Sequence, residues 1–135
     1  MGNKKQVVLL ILTAIALFGG LYATTYIPKK IVTIEPSEVS KIEIFDGNQG
    51  EMITLDDAEH KENIILNLND ITFSKGKLSL GYSGYRFRVT IYDNTGKEYK
   101  ELIINSDEKI RYNGFFYTVK SSSIDYDYIE HLFNG

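Results

Sequence analysis

Residues 85–119 read YRFRVTIYDNTGKEYKELIINSDEKIRYNGFFYTV, and the fold is decided there. Tyr85–Asp93 alternates with a period of two. Tyr85, Phe87, Val89 and Ile91 share one side, and Arg86, Arg88, Thr90 and Tyr92 share the other, as in a half-buried strand. Asn94-Thr95-Gly96 is turn chemistry and sends the chain back as Glu98–Asn105. Ser106-Asp107-Glu108 turns it again. Lys109–Tyr112 and Phe115–Val119 then flank Asn113-Gly114, a dipeptide suited to the two positive-φ positions of a tight hairpin. Consecutive hairpins of this kind make an antiparallel meander.

The pattern extends in both directions. Upstream, Val39–Asp46 alternates with Ile42 and Ile44 in phase, Gly47-Asn48-Gln49-Gly50 turns, and Glu51–Leu55 returns with Ile53 and Leu55 in phase. Asp56-x-x-Glu59 has the spacing of a capping box and predicts a helix over Asp57–Asn69, with Ile64, Ile65 and Leu68 on one face. Ile71–Lys75 and Leu78–Leu80 are short strand candidates separated by Gly76. Downstream, Ser121–Ser123 supply caps for a last helix. It carries Ile124, Tyr128, Ile129, Leu132 and Phe133 on one face, with Asp127 and Glu130 opposite. The expected fold is α+β: a two-layer domain with an antiparallel meander of about five to seven strands and two helices.

Ahead of this domain, Val7–Ile27 reads VVLLILTAIALFGGLYATTYI, 21 residues without a charge. As a helix it spans roughly 30 Å, the thickness of a bilayer core. Lys4 and Lys5 precede it, Pro28-Lys29-Lys30 ends it, and Tyr22 and Tyr26 sit where amphipathic rings favour the headgroup level. The run is too long for the core of a cleaved signal, and Ala14-Ile15-Ala16 lies too deep for cleavage; a site near Ala23 is the alternative, giving a secreted domain. With no Cys there is no lipoprotein anchor, and Gln6 breaks the myristoylation pattern. The layout expected is therefore a cytoplasmic tail over 1–6, a transmembrane signal anchor over 7–27, a linker over 28–38, and an extracytoplasmic domain over 39–135. Pro36 discourages helix at Glu35, so Ile31–Ser37 reads as extended.

Composition narrows function. The 135 residues carry a net charge of −3, and all 18 acids lie after residue 30 with 11 of the 15 bases, which leaves that part at −7. Such a domain is repelled by phosphate backbones, so nucleic acid is not an expected partner. The missing Cys excludes disulfides, zinc–thiolate sites and iron–sulfur clusters.

Few residues suggest chemistry. Gly81-Tyr82-Ser83-Gly84 approximates a nucleophile elbow, but its second Gly comes one position early, and a Gly-rich turn is the better reading. Asp56, Asp57, Glu59 and His60 crowd a helix start, where adjacent side chains diverge by about 100° and capping already explains the acids. Asp127, Glu130 and His131 share one helix side at i, i+3 and i+4. They are the candidate metal ligands, with a solvated helix face as the competing reading. No cofactor and no catalytic residue is expected. Aromatic residues are dense from Tyr82 to Tyr128, and Phe115 and Phe116 must point to opposite sides of their strand. Tyr82, Tyr85, Arg86, Arg88, Tyr92 and Phe116 are accordingly the candidate partner-binding residues, against the bland use of tyrosine as a strand former.

Taken together, V-S-K-I-E-I-F-D-G, D-x-x-E-x-x-x-N-I-I, G-Y-S-G-Y-R-F-R-V-T-I-Y-D-N-T-G-K and Y-N-G-F-F-Y, behind a Lys-bearing tail and an apolar anchor, resemble the small membrane-anchored or lipoprotein ectodomains of low-GC Gram-positive bacteria. The resemblance covers most of residues 39–133. It implies an envelope location and brings no catalytic residues with it. The expected function is a single-pass, non-enzymatic membrane protein whose outer domain binds or modulates an envelope protein. A cation- or small-ligand-binding sensor and an immunity-type inhibitor are the alternatives.

Overall fold

An apolar helix followed by an α+β domain is what the computed structural model shows; it describes residues 2–82, 84 and 86–134. Helix α1 runs Gly2–Thr24, carries no side chain buried by the rest of the chain, and has a mean hydropathy of 2.3 over its most apolar window. By length and composition it can cross a membrane or serve as a signal sequence.

The domain is one antiparallel sheet with two helices. Its strands are β1 (Lys29–Lys30), β2 (Val39–Asp46), β3 (Glu51–Leu55), β4 (Thr72–Leu78), β5 (Phe87–Asp93), β6 (Glu98–Ile104), β7 (Lys109–Tyr112) and β8 (Phe115–Ser121), in the spatial order β1-β4-β8-β7-β6-β5-β2-β3. Helix α2 (Ala58–Asn69) connects β3 to β4, and α3 (Tyr126–Asn134) ends the described chain. The meander β5-β6-β7-β8 follows the turns expected for it, with Asn113 at φ 51° and Gly114 at φ 85° making the tight hairpin.

Paired residues on neighbouring strands point to the same side, so the register identifies the core face. Ile44, Val89 and Leu102 form one row, and Phe87, Ile104, Ile110 and Tyr117 another, all buried. Ile64, Ile65 and Leu68 of α2 and Ile129 of α3 join the same cluster. Phe133 stacks on Phe87 at 5.5 Å and Tyr126 lies 5.4 Å from the same ring, which seats α3 on the sheet.

Several expectations are corrected. The strands number eight among the described residues, because Lys29–Lys30 pairs with Phe73 and Thr72. The two short strands around Gly76 are one strand. It passes Gly76 with an irregular register, and a Cβ there would stand 3.2 Å from the Phe116 carbonyl oxygen. Helix α2 is capped by Asp57, not Asp56; its carboxylate accepts from the His60 amide at 3.0 Å. The Ser121–Ser123 segment does not cap α3, since β8 extends to Ser121, Ser122 turns with φ 68° and the helix begins at Tyr126. The 28–38 segment read as a linker is built into the domain: Ile31, Val32 and Ile34 are buried, and Pro36–Glu38 forms one 3-10 turn.

Candidate functional site

Only one side of the sheet is covered by helices. On the other side the register aligns one residue from each of six consecutive strands: Met52 (β3), Phe45 (β2), Arg88 (β5), Ile103 (β6), Arg111 (β7) and Phe116 (β8). Met52 is exposed and the other five are half-buried. The row is thus an apolar and aromatic band with two guanidinium groups set in it. Arg88 lies over the Phe45 ring at 5.0 Å. Such a contact holds a long cationic side chain against the aromatic surface.

At the β8 end the band is completed by the segment after β4. The chain turns at Ser79–Tyr82, where the Tyr82 amide donates to the Ser79 carbonyl, and Gly81 has φ 85°. Tyr82 packs edge-on against Phe116 at 5.0 Å, and Arg111 donates to the carbonyls of Tyr82 at 2.8 Å and Gly84 at 2.5 Å. Lys77 donates to the Tyr82 hydroxyl at 3.0 Å, and this bond lowers the Tyr82 pKa from its ordinary value of 10.0. Lys77 and Lys109 both approach the Phe116 ring at 5.8 Å. The β8 end of the band is therefore a basic patch on a domain of net negative charge.

Next to the band, acids and hydroxyls take over. Thr54, Glu43, Thr90 and Glu101 form the adjacent row, and Lys41, Tyr92 and Glu98 the one after. Lys41 bridges Glu43 at 3.0 Å and lies over the Tyr92 ring at 4.7 Å, while the Tyr92 hydroxyl donates to Glu43 at 3.4 Å. Burial, then the Glu43 charge, raises the Tyr92 pKa.

Of the residues expected to bind a partner, Tyr82, Arg88 and Phe116 fall in the band, and Tyr92 lies two rows away on the same side. Tyr85 lies outside the described residues, as does Ser83 of the elbow-like motif. Arg86 does not belong to this face. Its guanidinium turns to the helix side, 3.6 Å from the buried Asp46 carboxylate, 3.7 Å from Glu130 of α3 and 4.8 Å from the Phe87 ring. The alternation that assigned it to the other face applies only inside β5, and Arg86 precedes the strand. Phe45, Met52, Ile103 and Arg111 were not singled out by sequence, because membership depends on register across six strands rather than on any local motif.

The three candidate metal ligands do not converge. Glu130 is engaged by Arg86, and His131 Nδ1 lies 2.7 Å from the Asp127 backbone oxygen. Among the described residues no group of three or more His, Asp or Glu side chains is placed to hold a metal ion. At the start of α2 the His60 amide, and then His60 Nδ1 at 2.7 Å from Asp57 Oδ1, lower the Asp57 pKa from its ordinary value. A polar recess of about 390 Å³ opens between the end of α2 and the start of α3, lined by Asn67, Asp107 and Ser122–Asp127.

Compared with known proteins, the chain matches no family model, no curated sequence and no solved structure.

Proposed function

We propose that the chain is a single-pass, non-enzymatic membrane protein, N-terminus inside, whose outer domain binds an envelope protein through the open side of its sheet. The observation that carries this is the continuous row from Met52 to Phe116, six strands wide, which none of the helices covers. Interface cores favour aromatic residues, Met and Arg, and deplete Lys and Glu. The row has that composition, and the charged rows beside it have the composition of a rim. The basic residues Lys109 and Arg111 beside Phe116 favour a partner that presents acidic groups about an apolar centre. The apolar length of α1, its flanking lysines and the resemblance to small anchored ectodomains support the location.

Site-specific photocrosslinking in intact membranes tests the reading. A crosslinker at Ile103 is expected to give one discrete adduct that Phe116→Asp abolishes, while a crosslinker at Glu59 on α2 gives none. Equal adducts from both positions, or none from Ile103, would overturn it. Because the chain has no Cys, single cysteines map topology without background. Thr95→Cys should react with an impermeant maleimide on intact cells, and Asn3→Cys only after lysis.

A further inference from the structure

We infer that the turn Ser79–Tyr82 is a second membrane contact, seating Leu78 and Leu80 in the headgroup–acyl boundary of an anionic bilayer beside the end of α1. This rests on the reading of α1 as a membrane anchor. Three observations carry it.

The first is direction. Lys30 pairs with Thr72 and Lys29 with Phe73, so β4 advances toward the end of α1 as its numbering rises. Lys75 meets that helix end: its Nζ donates to Thr25 Oγ1 at 3.2 Å, and lies 5.0 Å from the Tyr26 ring centre and 5.3 Å from that of Tyr22. Three more residues of strand carry the chain about 10 Å further, to Leu78. β4 therefore carries the turn past the helix end that the Tyr22 and Tyr26 rings assign to the headgroup zone, toward the bilayer side of it.

The second is exposure. Leu80 occupies the first central position of the turn and is 74% exposed, more than any large apolar side chain of α1; Leu78 is 55% exposed. Two leucines left largely exposed here gain from burial at an interface.

The third is charge. Between Asp70 and Asp93 the chain has no acid and four bases, Lys75, Lys77, Arg86 and Arg88, in a domain that holds all 18 acids of the sequence. Lys75 is held at Thr25, but Lys77 directly precedes Leu78, and its stem lets the ammonium group reach headgroup phosphates while the apolar part goes deeper. The domain repels anionic lipid as a whole and accepts it at this end.

The chain has no Trp, so single tryptophans report depth in the full-length protein reconstituted into phosphatidylcholine–phosphatidylglycerol vesicles. Leu80→Trp is expected to emit at shorter wavelength than Met52→Trp, which lies on the far edge strand. It should also lose most of its intensity when the acyl chains are brominated near the headgroup. Phe18→Trp within α1 should be quenched by bromines placed deep in the chains. An unquenched Leu80→Trp beside a quenched Phe18→Trp would overturn the second contact and leave the anchor standing. An unquenched Phe18→Trp would overturn the anchor, and the second contact with it.

Discussion

The Asp46 carboxylate is fully enclosed, and a carboxylate removed from water must be matched by donors or by charge. One oxygen accepts from the amides of Asn48 at 2.8 Å and Gln49 at 3.3 Å, which shapes the β2–β3 turn. Among the described residues the other has no hydrogen bond, and it lies 3.6 Å from the Arg86 guanidinium, itself shared with Glu130 of α3. Arg86 therefore balances a buried charge and ties a sheet turn to a helix. Replacing it by Met keeps most of the volume and leaves Asp46 uncompensated, a loss of roughly 3–5 kcal/mol. The double variant Arg86→Met, Asp46→Asn should recover most of that loss, because no charge is then left inside and the amide still accepts from the turn. Urea unfolding of the two singles and the double measures the coupling. Strict additivity would mean that the pair does not interact.

At the scale of elements, two asparagines near the end of α2 act as clasps. Asn67 donates to the Ser123 carbonyl at 2.9 Å and accepts from the Asp125 amide at 2.9 Å, which fixes the entry to α3. Asn69 donates to the Ile34 carbonyl at 2.7 Å and accepts from the Ile34 amide at 3.3 Å, so it pairs with the incoming segment as a strand would. Asn69→Asp keeps the acceptor, removes the donor and sets a carboxylate against a carbonyl, at a cost of roughly 1–3 kcal/mol. Hydrogen exchange should then speed up at Thr33 and Ile34 while the β5 and β6 amides keep their protection. Uniform acceleration would show instead that the segment opens only with the whole domain. The meander was legible in sequence because alternation and the Asn-Gly and Asn-Thr-Gly turns are local signals. The clasps were not, since an asparagine on a helix gives no sign of which distant backbone it will meet. Gly76 looks like a break in the sequence for the same reason: the close Phe116 carbonyl that favours a glycine belongs to another strand.

The whole molecule differs from its sequence reading most at the junction between helix and domain. Three apolar residues around Thr33, in Ile31-Val32-Thr33-Ile34, are too short a pattern to read as core, yet Ile31, Val32 and Ile34 are all buried in it. The open face was legible only in outline. Tyr82, Arg88 and Phe116 were recognisable as excess aromatic and cationic residues, whereas the six-strand alignment that makes them a surface exists only once the register is set. At the junction Lys100 donates to the Ile31 carbonyl at 2.6 Å, the Thr33 amide donates to the Tyr99 hydroxyl at 3.0 Å, and Lys75 grips Thr25. The domain is thus held directly at the end of α1 and not on a slack tether. The folding unit follows from the same contacts. A fragment beginning at Lys29 retains all three buried side chains and should melt cooperatively. A fragment beginning at Val39 loses them, at about 1.5–3 kcal/mol each for burial. Together that approaches the whole stability of a domain this size, about 5–15 kcal/mol. It also strips the partners from Asn69, Tyr99 and Lys100. The shorter fragment should therefore be unfolded or molten at 25 °C, with near-ultraviolet circular dichroism lost, while the longer one keeps a sharp transition. Equal melting temperatures for the two would return residues 29–38 to the status of a linker and detach the domain from the end of its helix.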